Sequence, residues 1–360
     1  MKWEKNWMKP VWESDFVFRE TFAMIEENGV CSANFLYKPD EILKVESYDG
    51  TRQYEMGKDF IVEENKIILT KESAIPSTNW EWFYHSTEEE AMEGLKHTAI
   101  PLNWGPLATT DGRFLNLSAI ANSPFITDWQ IAVTYTSSEK WAGECPQSAS
   151  DKLPKFFEKL KTKEEVTIVL YGDSISYGFD CSGICGLEPH QPIWSELVKN
   201  SLEEFYGIRV NMVNPSASGM NTDWAIEHAV ELIKPCEPDL VILGYGMNDR
   251  CPGEEYAEKT RKLRAVIKEA CPDTELIMIA TTLPNKLVHT APFHFDAYQD
   301  EYSQWLKTLE ETGTAIANVQ DIQREMEKRK RYIDITGNNL NHPNDYLARI
   351  HAQVIVALLS

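Results

Sequence analysis

Two kinds of apolar pattern alternate along the second half of the chain. Short, nearly continuous apolar runs predict buried strands at 166–171, 210–214, 240–245, 276–281 and 315–319. Apolar positions at helical spacing predict helices at 192–206, 223–233, 254–270, 291–311, 322–331 and 344–359. Apolar strands that alternate with amphipathic helices are typical of a parallel sheet covered on both faces. We therefore expect an α/β domain of three layers, helix–sheet–helix, over residues 151–360.

The first half of the chain has a different pattern. Its β-favouring runs are short and lie at 16–22, 32–37, 42–47, 60–62, 67–69, 80–84 and 131–135. Polar turn sequences such as KPD, YDG, MGKD and TTDG separate these runs. Many short strands joined by polar turns predict a β-sandwich, jelly-roll-like, over residues 1–150. The stretch 146–163 has the composition of a linker and a short helix that lead into the second domain.

Charge and cysteine content indicate which partners and which cellular compartment suit the protein. The formal net charge is −21, which disfavours nucleic acid and anionic membrane as partners, since both need clustered Lys and Arg. The first twenty residues contain no apolar run suited to a secretory signal, and the longest apolar runs are too short to cross a bilayer. The seven cysteines are an odd number and scattered, which suits reduced thiols. These features predict a cytoplasmic protein, with a homo-oligomer left open.

A serine follows the first strand of the second half, in the sequence YGDSIS at 171–176. Ligands bind at strand ends in α/β folds, and Ser174 is a nucleophile if a base takes its proton. The sequence is not the G-x-S-x-G of ordinary α/β-hydrolases. Of the eight histidines, His342 lies in the loop NNLNHPND at 338–345, where Pro343 restricts its backbone. His342 is therefore our candidate for the base.

Two further loops contain donors for the oxyanion of an acyl-transfer reaction. The loop SASGMN at 216–221 follows the second strand and contains Gly219, whose backbone N–H can approach a ligand closely. The loop GYGMND at 244–249 follows the third strand and contains the side-chain amide of Asn248. Because both loops follow parallel strands, we expect them at the same edge of the sheet as Ser174. Either residue alone is typical of an ordinary turn.

The order Ser, Gly, Asn, His in the blocks YGDSIS, SASGMN, GYGMND and NNLNHPND resembles the SGNH, or GDSL-type, hydrolase superfamily. The resemblance covers about residues 160–360. It implies a flavodoxin-like fold, with Ser174 as nucleophile and His342 as base. It also implies that Gly219 and Asn248 join the Ser174 backbone N–H as oxyanion donors.

One position departs from the superfamily pattern. An aspartate usually stands three residues before the histidine, and here that position is Asn339. A neutral amide cannot stabilise an imidazolium as an aspartate does. Asp334 and Asp345 are near in sequence but do not match the spacing. We therefore expect a Ser–His dyad, with His342 oriented by backbone or by Asn339.

A β-domain ahead of an SGNH domain looks like the two-domain bacterial esterases that remove acetyl groups from carbohydrates. The stretch YEMGKDFIVEENKIILT at 54–70 also resembles the leading domain of that group. The resemblance implies a serine esterase that deacetylates an oligosaccharide through an acyl-enzyme. No metal-ligand set, phosphate loop or dinucleotide fingerprint is apparent, so we expect no metal and no cofactor. Four aromatic residues of the first half could form platforms on which sugar rings stack, or could instead be part of the core: Trp80, Trp82, Tyr84 and Trp104.

Two other functions fit the same sequence. The first is a lipase-like or thioesterase activity on longer acyl chains, with 181–186 and the aromatic, His-rich stretch HTAPFHFDAY at 289–298 as pocket walls. The second is a catalytically weak carbohydrate-binding protein on an SGNH fold, an alternative that Asn339 motivates. Chain-length preference on p-nitrophenyl esters separates the first from a deacetylase, and labelling of Ser174 by a fluorophosphonate tests the second.

Overall fold

A computed structural model describes residues 4–13, 15–98, 102, 105–117, 125–288 and 298–360. The strands are β1 (Phe16–Ala23), β2 (Glu26–Glu27), β3 (Val30–Asn34), β4 (Glu41–Ser47), β5 (Phe60–Glu63), β6 (Lys66–Leu69), β7 (Tyr84–His85), β8 (Phe114–Leu115), β9 (Gln130–Thr136), β10 (Glu165–Gly172), β11 (Arg209–Val213), β12 (Leu240–Gly244), β13 (Glu275–Ala280) and β14 (Thr314–Asn318). The helices are α1 (Trp80–Phe83), α2 (Glu88–Leu95), α3 (Pro154–Thr162), α4 (Ser174–Tyr177), α5 (Ser182–Cys185), α6 (Trp194–Tyr206), α7 (Thr222–Ile233), α8 (Gly253–Ala270), α9 (Tyr302–Lys307), α10 (Val319–Met326) and α11 (Asp345–Leu358).

The second half of the chain forms a parallel sheet of five strands in the order β11-β10-β12-β13-β14. This is the strand order of flavodoxin-like folds, and helices cover both faces of the sheet. Alternate residues of β10 belong to different cores: Ile168 and Leu170 pack with α6 and α11, whereas Val169 and Tyr171 pack with α7 and α8. Burial on both faces explains why the strand reads as a continuous apolar run. The predicted α/β architecture is confirmed, and each predicted strand of this sheet matches one in the structure.

Two helices of this half differ from the prediction. The segment predicted as one helix at 291–311 contains a 3₁₀ turn, Gln299–Glu301, followed by the short α9, and residues 289–297 lie outside the described part of the chain. The helix predicted at 322–331 begins earlier, at Val319, because the side-chain oxygen of Asn318 caps it by accepting from the N–H of Asp321, 3.2 Å away.

The first half of the chain forms antiparallel sheets in the order β1-β9-β4 and β2-β3-β6-β5, with a separate pair β7-β8. The rings of Phe22 on β1 and Phe35, just after β3, meet with centroids 4.9 Å apart, and Phe35 meets Tyr135 on β9 at 5.1 Å. Side chains from the two larger sheets therefore share one core, as expected of a sandwich. Jelly-roll connectivity and the domain boundary at residue 150 remain predictions.

The run 80–84 is rich in β-favouring aromatic residues and therefore predicts a strand. The structure instead forms α1 and only then β7. Phe83 and Tyr84, adjacent in sequence, are both buried in the same cluster, a burial that a continuous strand with alternating faces does not provide. Tertiary packing overrides the local pattern here.

The N-terminal β region packs directly on the edge of the parallel sheet where its strands end. Phe83 and Tyr84 share a buried cluster with Ile175 of the turn after β10, Met247 of the loop after β12 and Leu340 of the loop before α11. The two halves of the chain therefore meet where the candidate residues lie. Among the parts of the chain that the structure describes, no helix combines the length and apolar character needed to cross a bilayer.

Candidate active site

Ser174 is the first residue of α4, immediately after β10. Asp173 caps this helix, and its Oδ1 accepts from the N–H of Ile175 at 3.0 Å. Backbone N–H groups in the first turn of a helix have no acceptor within the helix, so the N–H of Ser174 remains available for a ligand. The serine side chain is buried, and the turn that holds it is built by residues next to it in sequence.

Two glycines make room for this turn. Gly172 and Gly244 are paired in register at the ends of β10 and β12. A Cβ on Gly172 would lie 2.5 Å from the carbonyl oxygen of Gly244, and a Cβ on either glycine would lie 2.2 Å from Oγ of Ser176. The hydroxyl of Ser176 donates to the Gly244 carbonyl at 3.2 Å. The glycines of the YGDSIS and GYGMND blocks therefore allow the turn that contains Ser174 to close over the neighbouring strand.

His342 lies in a loop that its own polar side chains hold in shape. Oδ1 of Asn338 accepts from the backbone N–H groups of Leu340, Asn341 and His342, each at 3.0 Å. The hydroxyl of Thr336 donates to the carbonyl of His342 at 2.8 Å. These bonds fix the backbone at the histidine and therefore limit the directions in which its ring can point.

Ser174, His342 and Asp180 form one hydrogen-bonded chain. His342 Nε2 lies 2.9 Å from Oγ of Ser174, and Nδ1 of the same ring lies 2.6 Å from Oδ2 of Asp180. In this arrangement the serine hydroxyl donates to Nε2 while Nδ1–H donates to the carboxylate. Such a chain allows the imidazole to accept the serine proton and the aspartate to stabilise the imidazolium that results.

Asn339 does not hold the ring of His342. Its side chain is buried, and its Oδ1 accepts from Nδ2 of Asn285 at 3.1 Å. The expectation of a dyad oriented by backbone or by Asn339 is therefore corrected, because Asp180 occupies the position next to Nδ1. Asn339 has a φ of +55°, a left-handed conformation that asparagine tolerates well, which accounts for an amide side chain at this position.

The two aspartates near His342 in sequence have structural roles instead. Oδ1 of Asp334 accepts from the N–H of Ala23 on β1 at 2.8 Å. Oδ1 of Asp345 accepts from the N–H of Ser182 at 2.8 Å. Each carboxylate ties the histidine segment to another part of the chain.

Asp180 was missed because it follows Ser174 in sequence rather than preceding His342. The turn from Ser174 to Asp180 is compact, with the N–H of Phe179 donating to the carbonyl of Ser174 at 3.1 Å. The histidine loop passes close beside it: a Cβ on Gly337 would lie only 2.6 Å from Cβ of Asp180. The signal in the sequence was an acidic residue six positions after the serine, in DSISYGFD.

Gly219 and Asn248 lie in the loops after β11 and β12, at the carboxyl edge of the sheet that also holds Ser174. The side-chain amide of Asn248 donates to the carbonyl of Met220 at 3.1 Å, which joins the two loops. An amide nitrogen has two hydrogens, so one remains for a ligand. Gly219 is exposed with a φ of +76°, and a Cβ there would meet nothing within 4 Å. Their roles as oxyanion donors remain predictions.

Burial changes the acid–base properties of groups around the serine. Burial raises the pKa of Asp173 to about 7, partly offset by its bond to Ile175 and by nearby His342. Burial also raises the pKa of Asp249, next to Asn248. His351 on α11 is fully buried, and its pKa falls to about 4. That buried neutral histidine is part of the core, stacked on Trp194 with ring centroids 5.7 Å apart.

The aromatic platforms considered from the sequence belong mostly to packed clusters. Tyr84 is buried and its hydroxyl accepts from Nδ2 of Asn285 at 3.1 Å. Trp80 and Trp82 are half-buried against the cluster that contains Phe83. Trp104 and most of the stretch 289–298 lie outside the described residues. Within the described ranges, no group of three or more His, Cys, Asp or Glu side chains is placed to hold a metal ion.

The sequence profile of the GDSL-like lipase/acylhydrolase family matches residues 170–350, half of the chain. The chain belongs to this family. The match spans all four blocks that contain the candidate residues. No curated protein has a sequence significantly similar to this chain.

Solved structures similar to this family member include esterases. A two-domain esterase active on acetylated mannans, crystallised with mannopentaose, aligns with a TM-score of 0.47 and 18% identity, over 60% of this chain and 55% of that one. The acetylxylan esterase Axe2 from Geobacillus stearothermophilus aligns with a TM-score of 0.43 and 19% identity, over 54% of this chain and 94% of that one. This chain thus spans little more than half the length of the first of these relatives.

Proposed function

We propose that the protein is a serine esterase that removes O-acetyl groups from oligosaccharides through an acyl-enzyme. The observation that carries this proposal is the hydrogen-bonded chain from Oγ of Ser174 through the ring of His342 to the carboxylate of Asp180. Ser174 is the nucleophile, His342 the general base, and Asp180 the residue that orients the histidine. We keep the division at residue 150 as part of this proposal, with the catalytic residues in 151–360.

In the first step, Oγ of Ser174 attacks the ester carbonyl as Nε2 of His342 takes the hydroxyl proton. The carbonyl π bond opens, and its electron pair moves to the oxygen, which becomes an oxyanion. The N–H groups of Ser174 and Gly219 and the free amide hydrogen of Asn248 stabilise that charge. The carboxylate of Asp180 stabilises the imidazolium.

In the second step, the tetrahedral intermediate collapses and the bond to the sugar oxygen breaks. His342 returns its proton to that oxygen, so the sugar leaves as an alcohol and Ser174 retains the acetyl group. Water then attacks the acetyl carbonyl as His342 takes one of its protons, the bond between the acetyl carbon and Oγ of Ser174 breaks, and His342 returns the proton to Oγ as acetic acid leaves. The cycle ends with the original protonation of Ser174 and His342, and no metal or cofactor is required.

A cleft lies between the β region and residues 182–188 of the catalytic half, and its lining includes none of Ser174, Asp180 and His342. Its volume is about 760 Å³, enough for several sugar units. The walls combine aromatic, charged and apolar side chains, including Arg52, Tyr54, Asp128, Trp129, Leu187 and Glu188. Polar groups interleaved with aromatic rings suit an oligosaccharide, whose rings have apolar faces and hydroxylated edges. The resemblance of residues 54–70 to the leading domain of carbohydrate acetylesterases agrees with this.

A second candidate, hydrolysis of longer acyl esters, has one specific observation in its favour. Large apolar side chains are exposed on the segment that follows the nucleophile: Tyr177, Phe179, Ile184 and Leu187. An exposed apolar surface beside a nucleophile can bind an acyl chain as well as the apolar face of a sugar.

The experiment is acetate release from acetylated manno- and xylo-oligosaccharides by the wild type and Ser174→Ala, with p-nitrophenyl acetate and p-nitrophenyl octanoate in parallel. Acetate release that requires Ser174, with weak octanoate turnover, supports the deacetylase. Strong octanoate turnover without sugar deacetylation indicates the second candidate. Absence of Ser174-dependent turnover on every ester contradicts both. A fluorophosphonate that labels the wild type and not Ser174→Ala supports an activated serine independently of substrate.

A further inference from the structure

Two exposed aromatic rings stand beside the catalytic histidine. The ring of Phe179 lies nearly parallel to that of His342, with an interplanar angle of 15° and centroids 6.0 Å apart. The ring of Tyr177 stacks on Phe179 at 5.1 Å and 30°. Tyr177 is 41% exposed and Phe179 37%, so each retains open surface next to the reacting atoms. We call these two residues the aromatic pair.

The backbone holds the aromatic pair in a fixed place. Gly178, between the two rings, has a φ of +97°, and its N–H donates to the carbonyl of Ser174 at 3.1 Å. A Cβ at this position would lie 2.5 Å from Cγ2 of Ile193, so only glycine fits this conformation and space. The turn that begins at the nucleophile and ends at Asp180 therefore also sets the two rings side by side.

The chemistry of the proposed reaction decides which part of a substrate these rings meet. His342 must deliver its proton to the leaving oxygen, which has to come within hydrogen-bonding distance of Nε2. The leaving alcohol is therefore the part of the ester that lies next to the imidazole and to the ring of Phe179 packed beside it. In a sugar ester that alcohol is a pyranose, whose C–H face can pack on an aromatic ring.

We propose that Tyr177 and Phe179 form a stacking site for the pyranose ring whose acetylated hydroxyl is released. This inference rests on the proposed esterase function and assigns the alcohol specificity of the same site. The apolar surface beside the nucleophile then serves the sugar rather than a long acyl chain. Exposed aromatic surface in a rigid turn loses water on contact with the sugar at little cost in conformational entropy.

The kinetic test compares two acetate esters that differ only in the alcohol. Ethyl acetate has no ring to stack, whereas an acetylated xylobiose or mannobiose does. We expect Tyr177→Ala and Phe179→Leu to raise the KM for the disaccharide ester about fivefold to tenfold, and to lower its kcat/KM much more than that for ethyl acetate. Phe179→Leu keeps an apolar contact beside His342. A pH profile of kcat/KM that matches the wild type would therefore exclude a general disturbance of the histidine.

Phe205 provides the matched control. It is 65% exposed, near the end of α6, which leads to the amino end of β11, whereas the catalytic loops follow the carboxyl ends of the strands. We expect Phe205→Ala to leave the ratio between the two acetate esters at the wild-type value. An equal loss on both esters in the Tyr177 and Phe179 variants, or no loss on either, would overturn the proposal. A selective loss of p-nitrophenyl octanoate turnover would also overturn it, in favour of an acyl-chain surface.

Binding separates this proposal from the proposed function. Calorimetric titration of Ser174→Ala with unacetylated mannopentaose and xylopentaose does not depend on turnover. We expect the affinity to fall about fivefold to tenfold when Tyr177→Ala is added, and to be unchanged when Phe205→Ala is added. If the wild type has no esterase activity but the affinity falls when Tyr177→Ala is added, the result would support the stacking site and contradict the proposed function. Equal affinity with and without Tyr177 would contradict the stacking site alone.

Discussion

Oδ2 of Asp180 lies 2.6 Å from Nδ1 of His342, on the opposite side of the imidazole from Ser174. The aspartate is buried, with a φ of +65°, so its carboxylate is shielded from water and held by a turn in the left-handed region. Among residues other than glycine, asparagine is the one that adopts this φ most readily in place of aspartate. Asp180→Asn therefore changes the charge of the side chain and leaves the turn intact.

We expect Asp180→Asn to lower kcat by a factor of about 10³–10⁴, with little change in KM. An amide cannot stabilise the imidazolium, and it can hold the histidine in the wrong tautomer. The measurement is steady-state hydrolysis of p-nitrophenyl acetate, with circular dichroism to verify folding. Asn339→Gly is the control, since glycine accepts the φ of +55° and the side chain it removes does not reach His342. A large loss of kcat in Asn339→Gly with activity retained in Asp180→Asn would contradict the assignment.

The local sequence pattern predicts the features that neighbouring residues determine, but not the contacts between residues distant in sequence. The strands of the parallel sheet and the positions of Ser174 and His342 were predicted because each depends on residues adjacent in sequence. Asp180 was not, because its contact with His342 joins residues 162 positions apart and depends on how the loop past Gly337 approaches the nucleophile turn. The helix α1 was mistaken for a strand because Phe83 packs in a buried cluster of residues distant in sequence, and local periodicity does not report such contacts.

The oxyanion donors are tested by removing each one separately. We expect Asn248→Ala to lower kcat by about 10²–10³, because the amide hydrogen left over from the bond to Met220 no longer reaches the oxyanion. Single-turnover acylation by p-nitrophenyl acetate, followed by stopped flow, isolates the step in which that charge develops. A variant that acylates at the wild-type rate would show that Asn248 is only a turn residue.

Gly219 offers a sharper comparison because the chain contains a matched glycine. Gly219 and Gly207 have φ values of +76° and +69°, and a Cβ on either would meet nothing within 4 Å. Alanine at each position should therefore cost a similar free energy of unfolding, about 1–2 kcal/mol. Only Gly219→Ala should also slow acylation, because the strained backbone moves the N–H away from the oxyanion. Equal kcat in the two variants would argue that the Gly219 N–H has no part in the reaction.

The raised pKa of Asp173 predicts that the stability of the folded protein depends on pH. Burial raises its pKa to about 7 in the folded protein, from 3.8 in the unfolded chain. The folded state then binds the proton more tightly, so the stabilisation from this group is complete below pH 3.8 and is lost as the pH rises to about 7. Asp173→Asn keeps an acceptor for the N–H of Ile175 and removes the titration. As the pH rises from 4 to 8, we expect the free energy of unfolding of Asp173→Asn to increase by up to about 4 kcal/mol relative to that of the wild type.

The measurement is urea unfolding of the wild type and Asp173→Asn from pH 4 to pH 8. Taking the difference between the two proteins removes the contributions of other groups, such as His351, whose lowered pKa destabilises the fold in acid. A difference that stays constant with pH would show that Asp173 is ionised in the folded protein throughout this range.

A buried ion pair joins the β region to the catalytic half. Nζ of Lys330 lies 2.6 Å from Oε1 of Glu20 on β1, and both side chains are fully buried. Glu20 also accepts from the hydroxyl of Tyr135 and the N–H of Leu36. Lys330 donates to the carbonyl of Asn34 at 3.0 Å. Lys330 lies four residues before Asp334 and twelve before His342. It therefore holds the start of the segment that leads to His342 against β1 and β3.

Removing one member of this pair leaves the other charge buried without its partner. We expect Lys330→Met and Glu20→Gln each to lower the free energy of unfolding by about 3–5 kcal/mol, and the double variant to lose clearly less than the sum of the two. Urea unfolding followed by tryptophan fluorescence measures the cycle. Because the pair crosses between the two halves, a single cooperative transition should persist and shift as a whole. Additive losses, or a shift confined to one of two separate transitions, would mean that the halves fold independently and that the β region does not support the histidine loop.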